Sequence, residues 1–164
     1  MAKTPDAPSR RSQATAARLA AVQALYQVAM GAATVDQSLA AVTRDGPGAA
    51  LDEDQRLVAD PFVMADVVRG ATERGAEIDD MIAASLGPKW RLDRIELILR
   101  AILRAGVYEL LARPKAPARV VINEYVDIAH AFFDASEAGL VNAVLDRLAK
   151  TLRAPEFATD TPGA

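Results

Sequence analysis

Residues 98–111, ILRAILRAGVYELL, constrain the fold more than any other stretch of this chain. Apolar side chains recur there at three- and four-residue spacing on nearly every side of a helix, and Arg100 and Arg104 stand among them one turn apart. A helix apolar on most sides has to be surrounded by other elements. Those elements are helices too, since half of the residues are hydrophobic but only 5% are aromatic, and the excess is Ala and Leu. No segment alternates polar and apolar residues as a strand would.

Helix and turn signals divide the 164 residues. Residues 1–9 and 154–164 have the composition of flexible tails, flanking one helical domain over 10–153. A helix over 10–30 carries Leu19, Val22, Tyr26 and Met30 as its apolar face and ends at Gly31. Short helices follow over 35–43 and, after a loop rich in turn formers, from Asp60-Pro61 to Glu73. Gly75 interrupts, and Ile78 to Leu86 makes another short helix, stopped by Gly87-Pro88. A long helix is predicted over 90–112, then helices over 118–133 and 137–152, the last with Ser136 as N-cap. About seven helices in two small bundles result, an all-α fold.

Chemistry-bearing motifs are few. The chain has no cysteine, which removes disulfides, thiolate metal sites and cysteine nucleophiles. Its single histidine, His130, stands between Asp127 and Asp134 without a recognisable nucleophile, and reads as a surface or half-buried residue. Asp52-Glu53-Asp54 and Asp79-Asp80 lack the spacing of a calcium loop, and there is no phosphate-binding glycine loop. No catalytic residue, metal site or cofactor is expected. The first residues have no apolar core of signal-peptide length and no apolar segment is long enough to span a bilayer, so a cytoplasmic protein is expected.

The formal charge of -3 conceals segregation. Residues 89–119 carry a net +5 and the first thirty +3, which leaves -11 for the remainder. On a wheel of the long helix, Lys89, Asp93, Glu96, Arg100 and Arg104 share a sector of about 80°. Glu96 stands four residues before Arg100, the order of a surface ion pair, whereas Arg104 has no such partner. Two readings compete: a solvated face with ordinary ion pairs, or one phosphate-binding surface, which requires the first helix to pack beside the long one.

AVQALYQ (21–27), WRLDRIELILRAILRAGVYELL (90–111), VVINEYVDIAHAFFD (120–134) and LVNAVLDRLAK (140–150) together resemble the NusB family of transcription antitermination proteins, in order and spacing. The resemblance covers roughly residues 18–152. It implies two packed three-helix bundles without catalytic activity. It also implies binding of boxA-type nascent RNA jointly with the ribosomal protein NusE, indirect contact with other Nus factors and RNA polymerase, support of rRNA operon transcription, and a possible homodimer. Carried over by position, the RNA-binding residues are Arg10, Arg11, Arg18, Tyr26, Arg100 and Arg104, with Ser136 and Leu140 in a loop that meets RNA or partner. Guanidinium groups suit phosphate and a tyrosine suits a splayed base, although Tyr26 reads nearly as well as a core residue. Asn123, Glu124 and Asn142 read as structural. Leu140, Phe133 and Ala143 depart from the family's frequent Phe, Gly and Gly, and only Arg18 lies close before ALYQ. A related fold begins the rRNA cytosine methyltransferases, but their cofactor-binding βαβ region and catalytic cysteine are missing from these 164 residues. A purely structural helical dimer is the third reading.

Overall fold

The computed structural model describes residues 9–45 and 59–158, all helical or connecting. The loop cluster Asp52-Glu53-Asp54 and most of both predicted tails lie outside the described residues. The elements are α1 (Arg10–Ala29), α2 (Val35–Asp45), α3 (Pro61–Glu73), α4 (Gly75–Ser85), α5 (Leu97–Ala112), α6 (Ala118–Phe132), α7 (Ala135–Leu152) and α8 (Ala154–Phe157). One group packs α1, α2 and α3; the other packs α5, α6 and α7, with α4 laid across α5 and α7. The helices α1 and α5 join the groups, and one continuous apolar core runs through both.

Local signals explain several boundaries. The Asp60 carboxylate accepts from the Phe62 and Val63 N–H groups at 2.9 and 3.3 Å, with Pro61 opening α3 as its missing donor allows. Gly31 follows α1 with φ 72°, a left-handed conformation that costs glycine little. Gly75 does not separate two helices; it opens α4 directly after a turn at Arg74. Ser136 is not a cap, because α7 already begins at Ala135 and Asp134 holds the N-cap position. The chain after Leu152 does not become a tail at once: Arg153 is buried, and α8 follows.

Two larger corrections concern α1 and α5. The buried face of α1 is made of Ala16, Ala17, Ala20, Ala21, Val22, Ala24 and Leu25, while Met30 is half exposed and Leu19 and Tyr26 are only partly covered. Small side chains let neighbouring backbones approach, so the alanines face the core. The helix α5 starts at Leu97, not at residue 90. Arg91 is extended, Leu92–Arg94 form a single 3-10 turn, and Ile95 and Glu96 are extended again. Trp90 and Leu92 both pack against the core, and residues two apart share a side only in extended chain.

Close approach at α5 is secured by two glycines. A Cβ at Gly70 of α3 would collide with the Tyr108 ring, and one at Gly106 would come within 2.9 Å of Leu145 on α7.

Candidate nucleic-acid interface

Arg18 does not reach the surface. It is 5% exposed, and its Nε and Nη2 donate to the two carboxylate oxygens of fully buried Glu109 at 2.8 and 3.0 Å. The Tyr125 hydroxyl donates to the same carboxylate at 2.5 Å, and Glu124 lies 3.7 Å from Arg18. Burial acts to lower the Arg18 pKa, but the hydrogen bond and charge of Glu109 outweigh it and hold it above the ordinary value. Burial, then the Glu109 charge, pushes the Tyr125 hydroxyl well up, so it stays a donor. This guanidinium is committed to the core, and Arg18 leaves the set of RNA-contacting candidates.

One turn and two turns upstream, the chain is exposed. Arg10 and Arg11 lie in the first turn of α1, where the Ser9 hydroxyl accepts from the Ser12 N–H at 3.1 Å. Farther along the helix, Thr15 donates to Glu124 of α6 at 2.8 Å.

The first helix does pack beside α5, but antiparallel to it. Arg18 meets Glu109, whereas Leu25, Val28 and Ala29 share a pocket with Arg104. At about 1.5 Å per residue, Arg10 lies roughly 25 Å along the helix axes from Arg100. Arg10 and Arg11 therefore lie at the opposite end of the helix pair from Arg100 and Arg104, and cannot hold one phosphate together with them.

Neither arginine of the long helix is paired as its spacing suggests. Arg104 is not free: its Nε and Nη2 donate to Asp79 of α4 at 2.8 and 2.6 Å, with both side chains about three-quarters buried. Arg100 makes no ion pair with Glu96, which sits outside the helix in extended conformation; its Nη2 donates instead to the Leu92 carbonyl at 2.6 Å. The Arg100 Nε is buried without a partner. Both side chains stay partly exposed, so each keeps an edge toward solvent.

Ser136 and Leu140, on the first turns of α7, come together with Lys89 of the polar stripe and with Trp90 and Arg147, neither of which the sequence singled out as a site residue. Together they line a groove of about 420 Å³, Lys89 and Trp90 from the α4–α5 connection. Leu140 is 6% exposed and serves as floor, whereas Ser136 is exposed. Tyr26, half-buried, packs against the core edge. His130 is exposed on α6.

A second polar cluster ties the groups together: Asp66 of α3 accepts from the Tyr108 hydroxyl at 2.8 Å and from Arg113 at 2.5 Å. Burial, then the Asp66 hydrogen bond, pushes Tyr108 up to about 12. Among the described residues no three His, Cys, Asp or Glu side chains gather as metal ligands, and no helix is long and apolar enough to cross a membrane.

Known proteins match this arrangement along most of its length. The NusB family model matches residues 15–150. The transcription antitermination protein NusB of Nitrobacter hamburgensis is 49% identical over 143 residues, covering 87% of this chain and 89% of its own. That of Rhodopseudomonas palustris strain BisB5 is 47% identical over 142 residues, covering 87% and 82%. Among solved structures, T. maritima NusB superimposes with a TM-score of 0.69 at 30% identity, covering 93% of this chain and 99% of its own. The antitermination factors NusB and NusE in complex with dsRNA give 0.69 at 25% identity, covering 87% and 99%. The match of the family model to residues 15–150, on a fold shared with solved NusB, means that this chain belongs to the NusB family.

Proposed function

We propose that this chain is a cytoplasmic, non-enzymatic antitermination factor that binds boxA-type RNA together with NusE, and through NusE joins other Nus factors on RNA polymerase. The observation that carries this reading is the likeness, over 87% of the chain, to a NusB solved with NusE and dsRNA. The exposed Arg10 and Arg11 support it, as do Tyr26, Ser136 and the partly exposed edges of Arg100 and Arg104. Phosphate contacts come from the arginines; Leu140 shapes the groove floor, and Arg18 holds α1 in place from beneath.

Fluorescence anisotropy of a labelled boxA RNA tests it. Binding is weak for the chain alone and tighter once NusE is added. Replacing Arg10 and Arg11 together by Ala lowers the slope of log affinity against log salt by about 1.4, the value for two lost single-strand phosphate contacts. If NusE neither binds the chain nor changes its affinity for RNA, the reading fails.

A further inference from the structure

We propose that Trp90 and the groove beside it form a stacking site for one unpaired base of the bound RNA, an inference that rests on the reading just given. Trp90 is the only tryptophan of the chain. Partly buried against the core, it lines two grooves: one shared with α7, the other with Arg91 and Arg100. On the α7 side, Gly139 and Ala143 are four residues apart and so lie one above the other on the helix, leaving a slot opposite the indole. A Cβ at Gly139 would meet nothing within 4 Å.

The charges around this slot select an anion. Lys89 and Arg147 stand exposed at its rim, Arg147 making only a 3.5 Å contact to the Ser85 carbonyl, and no carboxylate lines it. An apolar slot with an aromatic wall and two cations at its mouth suits a flat base with phosphates on either side. A protein segment without acidic side chains would bring an apolar side chain to the floor but would leave both cations unmatched. A duplex would keep its bases in their own stack and could use only the rim.

The single tryptophan gives a direct readout. Titrating the chain with single-stranded boxA RNA quenches Trp90 fluorescence along the same isotherm as the anisotropy of the labelled strand. Gly139→Leu fills the slot from an open position, so its melting temperature is not lower, yet its RNA affinity, alone and with NusE, falls at least about fivefold, the low end of one stacked base. Trp90→Tyr keeps most of the affinity and Trp90→Leu does not. The inference is overturned if RNA binds with unchanged fluorescence and Gly139→Leu binds it as well as the parent; that result leaves the antitermination reading standing. It is equally overturned if Gly139→Leu blocks NusE while the chain alone binds RNA normally, because the groove is then a protein site. Absence of RNA binding in every mixture removes both readings.

Discussion

Arg18→Met separates a core role for this arginine from the RNA contact that its position before ALYQ suggests. In the parent, two charge-assisted bonds of 2.8 and 3.0 Å satisfy Glu109, whose side chain is fully buried. Removing the guanidinium leaves a carboxylate in the core with only the Tyr125 hydroxyl and a distant Arg113 Nε at 3.7 Å. Breaking a buried pair in this way costs about 3–5 kcal/mol, against about 5–15 kcal/mol for the whole domain. At about 2–4 °C per kcal/mol, the melting temperature falls by about 6–20 °C. The triple variant Arg18→Met, Glu109→Leu, Tyr125→Phe removes every buried polar member together and recovers most of that loss, since replacing a buried pair by apolar groups is often neutral or better. Urea unfolding followed by circular dichroism measures both. RNA affinity, taken at a temperature where all variants are folded, stays within about twofold of the parent. An Arg18→Met protein with parental stability and lost RNA affinity would refute the burial argument outright.

Two further outcomes follow from the polar clusters. Arg104→Ala and Asp79→Asn each lower stability, by about 1 kcal/mol as suits a three-quarters buried pair, and the double variant costs less than their sum. A phosphate-contact role alone would instead weaken RNA binding in Arg104→Ala, strengthen it in Asp79→Asn and leave melting untouched. Tyr108 titrates in the unfolded chain near 10 and in the folded chain near 12. The folded state then holds the extra proton, so its contribution to stability is complete below pH 10 and is lost as pH rises toward 12. Tyr108→Phe flattens the stability curve in that window, and an unchanged slope would show that the hydroxyl does not contribute.

The order of the helices was legible because turn formers and apolar spacing act locally: Asp60-Pro61 and Gly31 mark real ends. The start of α5 was not, since apolar residues continue at helical spacing through Leu92 and Ile95 although the backbone there is a single 3-10 turn between extended residues. The face of α1 was misread because spacing rules weight large side chains, and here alanines make the contact. The two arginine partners were invisible for a different reason. Neighbour rules search four residues away, but Glu109 is 91 residues from Arg18 and Asp79 is 25 from Arg104. The aromatic wall at Trp90 had a local signal, Lys89-Trp90-Arg91, which makes sense only once α7 closes over it.

Arg153 shows how late this fold is completed. Its guanidinium donates to the carbonyls of Leu110, Glu109, Arg113 and Ala116, the open C-terminal end of α5 and the turn beyond, and to Glu156. Those backbone acceptors are made 37 to 44 residues before the donor that satisfies them. A chain emerging from the ribosome therefore builds its central helix first and can seal that helix's open end only after Arg153 has followed, so the core is latched from downstream.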